Sequence, residues 1–322
     1  MMPLVGHRAA QAAFAAALAR DSLHHAWLLV GPAGVGKAMF ARQVAARLLA
    51  TSASDGSAGG DTAERTRALI EAGSHPYYRV LAKLPKDPEK PDQDIARSIS
   101  IAQVRGLQSM FATRPSMGER RIVIIDAADD LERGGANALL KRLEEPPEGT
   151  VFLLISHAPG RLLPTIRSRC RLLRFEALTD SDMKTVLAEA LPDASPSDLD
   201  ALVTAGEGSP GRALRYAGLD IAGIDAALAG IATDGDRDNA RRIKLGRALA
   251  VKAAAPRYQA FLERAPALIA QEARQRSGAP LKVALDAHAA ARDLAGAALG
   301  LSLDAHATVF EMSAIVARLH AS

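Results

Sequence analysis

A glycine-rich segment near the N-terminus constrains the fold more than any other part of the sequence. Residues 31–38 read GPAGVGKA and lie between an apolar run, Ala26–Val30, and a helix-like stretch, Met39–Leu49. A strand, a glycine loop and a helix in this order form a P-loop, whose backbone N–H groups and helix N-terminus bind phosphate. The sequence therefore predicts an α/β domain with a parallel sheet and a phosphate-binding loop at one edge of it.

Two positions at which P-loop enzymes carry catalytic groups hold alanine. The residue after Lys37, normally a Ser or Thr that binds Mg²⁺, is Ala38. The run Arg121–Asp126 predicts a buried strand that ends in a Walker B carboxylate, but the next position, normally a glutamate that activates water, is Ala127. Because phosphoryl transfer depends on positioning of the metal and the attacking group, we expect this chain not to hydrolyse ATP.

Composition indicates an ordinary globular protein. The 322 residues suit two or three domains, and the net charge of +4 with a pI near 9.3 permits contact with nucleic acid without requiring it. The single cysteine, Cys170, excludes internal disulfides and cysteine-based zinc sites, and suits a reducing compartment. The sequence has no apolar run of membrane-spanning length and no signal-peptide pattern, which predicts a cytoplasmic protein without membrane contact.

The pattern of elements changes near Phe175. Before it, short apolar runs predict four strands, at residues 26–30, 121–126, 151–155 and 171–175, with polar loops at residues 51–60 and 84–94. After it the pattern is helical, with three helices at residues 180–191, 197–206 and 210–217 and four or five more between about 221 and 319. We expect an α/β domain followed by helical domains.

Four short strings outside the P-loop support a resemblance to a known family: DAAD at 126–129, NALLK at 137–141, LEEPP at 143–147 and SRC at 168–170. With the two alanines, they resemble the bacterial replication clamp-loader subunits of the AAA+ family, and most closely the delta-prime type of DNA polymerase III. The resemblance covers about the first 215 residues. It implies an AAA+ RecA-like P-loop domain at 1–176, a small helical lid domain at 177–220 and an all-α collar domain for oligomerisation at 221–322.

The resemblance also implies roles for individual residues. Arg169 of the SRC string would be an arginine finger that enters the ATP site of a neighbouring subunit. Ser156 falls at the sensor 1 position, and Arg212 of GSPGRAL falls at the sensor 2 position, facing the phosphates of the chain's own nucleotide. The vestigial or weak nucleotide site would then comprise Gly31, Gly34, Gly36, Lys37, Asp126, Ser156 and Arg212. Binding of ATP or ADP there is left open, and no cofactor is expected to be required.

The function implied by the resemblance is that of a non-hydrolysing, delta-prime-like subunit of the clamp loader in DNA replication. Such a chain would have no independent catalysis, although it belongs to a DNA-directed DNA polymerase holoenzyme. Its partners would be the gamma/tau and delta subunits, the sliding clamp indirectly or weakly, and primed DNA within the complex. Clamp-loader subunits usually carry a four-cysteine zinc module after the P-loop helix. Residues 51–74 contain no cysteine, so we expect no zinc and no other metal.

Two other functions compete with this interpretation. The chain could be an active AAA+ ATPase, either a gamma/tau-like motor or a stand-alone remodeller, but Ala38 and Ala127 argue against hydrolysis. It could also be a nucleic-acid-binding module in its own right. Aromatic residues make up only 4% of the chain and no dense basic stripe is evident, which disfavours base stacking and backbone tracking.

Overall fold

The computed structural model describes residues 4–20, 23–52, 59–87, 89, 95–112 and 120–320. The chain groups into two compact units. The first comprises Met1–Pro192 with Glu207–Arg212, and the second comprises Asp193–Gly206 with Ala213–Ser322. The finer division into three domains at residues 176 and 220 stays a prediction.

The described part of the first unit contains a five-stranded parallel sheet with the strand order β2-β3-β4-β1-β5. The strands are β1 Ala26–Val30, β2 Tyr78–Ala82, β3 Arg121–Asp126, β4 Thr150–Ser156 and β5 Arg171–Arg174. Because β4 lies between β1 and β3, the strand before the P-loop and the Walker B strand are not neighbours. The α/β fold class with a parallel sheet is confirmed, whereas the count of four strands was wrong because β2 was missed.

Helices cover both faces of this sheet. They are α1 Arg8–Ala19, α2 Lys37–Ser52, α3 Gly59–Glu71, α4 Ile101–Gly106, α5 Gln108–Ala112, α6 Arg133–Glu144, α7 Pro164–Arg167 and α8 Asp180–Ala190, with 3-10 turns at Ala128–Asp130 and Pro159–Arg161. The predicted loop at 51–60 was wrong at both ends, since α2 continues through Ser52 and α3 begins at Gly59; residues 53–58 lie outside the described residues. Part of the predicted loop at 84–94, namely 88 and 90–94, also lies outside them.

The core of the first unit lies on the two faces of the sheet. Alternate strand residues separate into two buried clusters, with Trp27 and Ile124 on one face and Leu28 and Ile125 on the other. Since helices cover both faces, the central strands are buried throughout, and β1 and β4 therefore appear in the sequence as continuous apolar runs rather than alternating ones.

The described part of the second unit contains helices joined by turns and no strand. Its helices are α9 Pro196–Gly206, α11 Ile221–Asp234, α12 Ala240–Leu249, α13 Ala255–Ala273, α14 Gly278–Leu301 and α15 Ala305–Ala317, with a 3-10 turn at Lys252–Ala254; α10 Pro210–Tyr216 begins in the first unit and ends in this one. The predicted helices after Phe175 are confirmed.

Small side chains and one buried cation hold the helices of the second unit together. Ala284, Ala287 and Ala291 of α14 are completely buried, so that neighbouring backbones approach closely. Arg264 of α13 forms two hydrogen bonds, of 2.8 and 2.7 Å, to the carboxylate of Asp225 in α11, and a third of 3.2 Å to the carbonyl of Ala205 in α9. Together, the bidentate pair and the third bond fix the relative positions of α9, α11 and α13.

Within the described residues, no single helix is long and apolar enough to cross a bilayer. Pro210–Tyr216 and Ile221–Asp234 reach that length and hydropathy only when the two are taken together as a bent pair.

Candidate functional site

The predicted nucleotide-site residues converge at the carboxyl edge of the sheet. The P-loop follows β1, and parallel pairing places Val30 of β1 beside Ser156 at the end of β4. The backbone N–H of Gly31 donates to the carbonyl of Ser156 at 3.3 Å. Asp126 ends β3 at the same edge, close enough to act on the charge of Lys37. The structure therefore brings together the groups that the motifs indicated.

The Lys37 amine binds its own loop. Its side chain is 3% exposed, and Nζ donates to the carbonyl oxygens of Gly31 at 2.6 Å and Pro32 at 2.5 Å. Burial lowers the pKa of Lys37 to about 8, against the raising effect of the carboxylates of Asp129 and Asp126. The cation that should reach toward phosphate is thus used within the loop.

Gly31 is required by the packing of the loop on the strand behind it. Its φ is 151°, and a Cβ atom there would lie 1.9 Å from the carbonyl oxygen of Phe175. Phe175 follows β5, and its N–H donates to the carbonyl of Val30 at 2.8 Å. Its ring lies 5.2 Å from that of Phe40 in α2. A glycine is therefore needed here whether or not phosphate binds.

The N-terminal segment packs against the opposite end of the loop. A Cβ atom on Gly36, whose φ is 108°, would lie 2.9 Å from Cδ1 of Leu4. The His7 ring is hydrogen-bonded through Nε2 to the carbonyl of Val35 at 2.7 Å. Neither Leu4 nor His7 was selected from the sequence, since neither belongs to a phosphate-binding pattern.

The segment Gly208–Arg212 contacts Gly34, the second glycine of the loop. A Cβ atom on Gly34 would lie 2.5 Å from Oγ of Ser209, and one on Gly211 would lie 2.8 Å from Cα of Gly34. The Gly211 N–H donates to the Gly34 carbonyl at 2.9 Å, and the Ser209 hydroxyl donates to the carbonyl of Ala33 at 2.8 Å. Two glycines facing each other let the two backbones touch.

Arg212 is engaged by its own loop. Its guanidinium forms an ion pair with the Glu207 carboxylate, with 2.8 Å between Nη1 and Oε2. Its backbone N–H donates to Oγ of Ser209 at 3.2 Å, so that Ser209 caps the start of α10. The structure thus places Arg212 beside the P-loop, but it bonds its side chain to a carboxylate.

Asp129 organises the turn that follows β4. The Ser156 hydroxyl is fully buried and donates to Oδ1 of Asp129 at 2.7 Å. Oδ2 accepts the backbone N–H groups of His157 and, at 3.3 Å, Ala158. Burial, followed by the nearby charge of Lys37, lowers the pKa of His157. The sequence marks Asp129 only as the last residue of the DAAD string, and the structure gives it a capping role.

These residues do not fit Mg²⁺–ATP in the arrangement described. Ala38 offers no hydroxyl and the buried Ala127 offers no carboxylate. The amine of Lys37 and the hydroxyl of Ser156 bond to groups of this chain, whereas the guanidinium of Arg212 pairs with Glu207 through Nη1 and keeps other N–H donors. Asp126 alone would be left to position a metal, and one carboxylate is a poor anchor for a cation that keeps most of its waters.

The Ser168–Cys170 segment presents a different environment. Arg169 follows α7, and its side chain is 35% exposed. Its Nη1 donates to the carbonyl of Thr165 at 3.0 Å, and its Nη2 lies 2.8 Å from Oε1 of Glu144. Burial raises the pKa of the Cys170 thiol to about 12, which keeps that side chain neutral and inert. The segment therefore combines a buried thiol with a charged, accessible guanidinium.

The arginines on either side of this segment differ from each other. Arg167 is exposed at the end of α7. The guanidinium carbon of Arg171 lies 5.1 Å from the centroid of the Trp27 ring, a cation–π contact with the core of the sheet. Arg171 therefore contributes to the packing of β5, whereas the exposed Arg167 can serve as a control position for Arg169.

The region expected to lack a zinc module is only partly described. Its neighbour His75 is 2% exposed, and its Nδ1 accepts the N–H of Tyr77 at 3.2 Å. Among the described residues, His, Cys, Asp and Glu form no group of three that could hold a metal ion. The absence of zinc stays a prediction.

Comparisons with known proteins identify relatives of this chain. The family model described as DNA polymerase III, delta subunit, matches residues 6–179. A Pseudomonas aeruginosa protein named DNA polymerase III subunit delta' is 41% identical over 194 residues, which are 60% of this chain and 56% of that protein. The Bacillus subtilis protein of the same name is 36% identical over 179 residues, 55% of this chain and 49% of that one.

A gamma/tau subunit of DNA polymerase III from Mycobacterium tuberculosis is 30% identical over 233 residues, 71% of this chain and 37% of that protein. The matched region thus spans about half the length of the two delta' relatives and less of the gamma/tau relative. Because the family model covers more than half of the chain, the match establishes membership: this chain belongs to the DNA polymerase III delta-prime family of clamp-loader subunits.

Proposed function

We propose that this chain is a non-hydrolysing, delta-prime-like subunit that supports assembly of the clamp-loader ring. It donates Arg169 to the ATP site of a neighbouring gamma/tau subunit and helps load the sliding clamp on primed DNA. The observation that carries the proposal is a contrast within one domain. Alanine occupies two catalytic positions, 38 and 127, while Arg169 stands accessible at the end of α7.

The chemistry of the guanidinium supports this role. Arginine stays charged at all physiological pH values and carries five N–H donors in a rigid fork. Nη1 donates to the Thr165 carbonyl and, at 3.5 Å, to Oγ of Ser168, and Nη2 pairs with Glu144, which leaves at least two of the five N–H donors for a phosphate group. A neighbour's γ-phosphate can therefore be met without breaking these contacts.

Assembly of the clamp-loader ring would depend on other parts of the chain. In this proposal the helices of residues 221–322 form the collar through which the gamma/tau and delta subunits associate, and contact with the clamp is indirect or weak. No cofactor is required in this proposal, because Ala38 and Ala127 lack the groups that position Mg²⁺ and the attacking water.

Two measurements test the proposal. The purified chain should hydrolyse no ATP above background, with or without primed DNA. A loader reconstituted with Arg169→Ala should assemble normally but show lower DNA-stimulated ATP hydrolysis and clamp loading. A finger contributes roughly 10³- to 10⁵-fold at the site it completes. A ring with several ATP sites loses only that one, so the overall fall should be partial.

The controls separate a finger from a basic surface. Arg167→Ala removes the same charge from an exposed position two residues away and should leave loading unchanged. Arg169→Lys keeps the charge but lacks the fork, so it should rescue little. Turnover by the isolated chain that Lys37→Ala abolishes would reject the non-hydrolysing assignment, and full loading by Arg169→Ala would reject the finger.

A further inference from the structure

Glu144 is the only carboxylate in the described chain that forms an ion pair with Arg169. It is the last residue of α6, and its Oε1 lies 2.8 Å from Nη2 of Arg169. We infer that Glu144 is a positioning residue, which holds the guanidinium of Arg169 in the orientation that meets a neighbour's phosphate. The inference rests on the proposed role of Arg169 as a finger.

Two contacts on different nitrogens define the orientation of the guanidinium. Glu144 binds Nη2 and the Thr165 carbonyl binds Nη1, so the plane of the fork cannot rotate about its long axis without losing one of them. A single contact would leave that rotation free. Because an arginine side chain loses much rotamer freedom when it is immobilised, orienting it beforehand removes that cost from the encounter with phosphate.

The elements that carry these two contacts are themselves fixed. Leu139 and Leu143 of α6 are buried in the core of the sheet, and Ile166 of α7 is 1% exposed. The carbonyl of Leu143 is hydrogen-bonded at 3.1 Å to Nε2 of His25, which immediately precedes β1. The end of α6, and Glu144 with it, is therefore tied to the start of β1, an interior strand of the sheet, rather than to a surface loop.

Exposure argues against a role in stability. The side chains of Glu144 and Arg169 are 48% and 35% exposed. Ion pairs at such sites contribute little to folding, because water screens them and two long side chains must be ordered. The geometry is nonetheless defined, with a second acceptor on the same guanidinium. An arrangement that adds little to stability but fixes a reactive group is expected of a positioning residue.

The Glu144 carboxylate also has an electrostatic effect that opposes positioning, and the test must distinguish the two effects. Its negative charge neutralises part of the charge on Arg169, which by itself would weaken attraction to phosphate. Glu144→Gln removes that charge and keeps an amide oxygen that can accept from Nη2. Glu144→Ala removes both. Positioning predicts that the Gln variant retains activity and the Ala variant does not, whereas charge competition predicts that both variants gain activity.

The experiment uses the reconstituted loader and DNA-stimulated ATP hydrolysis. Glu144→Ala should lower kcat by about tenfold at the site that Arg169 completes, with KM for ATP unchanged, because an oriented finger acts in the transition state. Glu144→Gln should stay within about twofold of the wild type. Glu145→Ala, the same charge change at the exposed next residue, is the matched control and should have no effect.

Testing Glu144→Ala in the Arg169→Ala background distinguishes the proposed finger role of Arg169 from the positioning role of Glu144. In Arg169→Ala, the further change Glu144→Ala should lower activity no more, since there is no guanidinium left to orient. If Arg169→Ala itself has no effect, the proposed finger fails. If Arg169→Ala lowers hydrolysis and Glu144→Ala does not, or if Glu144→Ala raises it, only the positioning role is overturned. Gel filtration of each ring confirms that assembly is equal.

Discussion

The P-loop and the Ser168–Cys170 segment, which the proposed function assigns to two different ATP sites, differ in how their polar groups are bonded. At the P-loop, the Lys37 amine binds loop carbonyls and the Ser156 hydroxyl binds Asp129. At the other segment, Arg169 is accessible and its contacts leave donors unused. The polar groups at the P-loop bond within the fold, whereas Arg169 remains available to another molecule.

Under the proposed function, this difference explains how a P-loop motif persists in a chain that does not hydrolyse ATP. Gly31, Gly34 and Gly36 are each pressed against atoms of the same chain, so that none can gain a side chain without displacing a neighbour. Packing alone therefore accounts for the glycines of the loop. Arg169 has no such packing role. A substitution in the P-loop should accordingly lower the stability of the fold, whereas a substitution of Arg169 should lower the ATP hydrolysis of the partner subunit.

The largest expected effect tests the packing of the loop. Gly31→Ala should destabilise the fold by about 4 kcal/mol or more, because Gly31 has φ 151° and the added Cβ would meet the Phe175 carbonyl oxygen at 1.9 Å. Chemical denaturation measures the change. Gly160→Ala is the control, since a Cβ there meets nothing within 4 Å. Equal, small effects at both positions would show that the loop is held only loosely by the chain.

The next effect concerns the buried amine. Burial lowers the pKa of Lys37 to about 8 from 10.5, so between those values the unfolded chain binds the proton that the folded chain has released. Folding stability should therefore rise with pH across that window, by at most about 3 kcal/mol, relative to Lys37→Met. Below pH 8 both states are protonated and the difference should be flat.

Denaturation curves at pH 7, 8, 9 and 10 measure this dependence, with exposed Lys141→Met as the control. A difference that does not change with pH would mean that the folded amine titrates normally and is not buried against the loop. Adding ATP sharpens the test. Phosphate beside Lys37 would raise its pKa and abolish the rise, whereas a loop closed on itself leaves the rise unchanged.

A smaller effect is expected at Asp129. Asp129→Asn should cost about 2 kcal/mol, because the carboxylate accepts from the Ser156 hydroxyl and from two backbone N–H groups, and an amide nitrogen would face one of these donors. Asp130→Asn is the matched control. That residue pairs at 2.9 Å with the half-exposed Lys83 and should cost under about 1 kcal/mol. A reversed ranking, measured by thermal unfolding, would remove the capping role of Asp129.

Much of the fold followed from the sequence, and the exceptions have physical causes. The central strands are buried on both faces and appear as unbroken apolar runs, which is why β1, β3 and β4 were predicted. β2 lies at the edge of the sheet, and its Arg79 and Val80 are exposed, so no such run marks it. α3 was missed because it begins with Gly59-Gly60, a pair typical of loops.

The candidate site was predictable in its positions but not in its contacts. Motif spacing placed Lys37, Ser156 and Arg212 at the edge of the sheet. The partners that turn these side chains inward are a loop carbonyl, Asp129 and Glu207, none of which is marked by a pattern of residues. Such pairings depend on side-chain direction at the ends of different elements, which sequence periodicity does not describe.

The smallest expected effect is the one that most sharpens the comparison. Arg169→Ala and Glu144→Ala should each change the free energy of unfolding by under about 1 kcal/mol, and a double-mutant cycle should give a coupling within about 0.5 kcal/mol of zero. The reason is that both side chains are partly exposed, while the helices that carry them are held by buried leucine and isoleucine. Denaturant titration of the isolated chain measures all four variants. A coupling of 2 kcal/mol or more would show that this pair stabilises the fold, as the P-loop contacts do. Arg169 would then no longer differ from the P-loop as a group available to a partner.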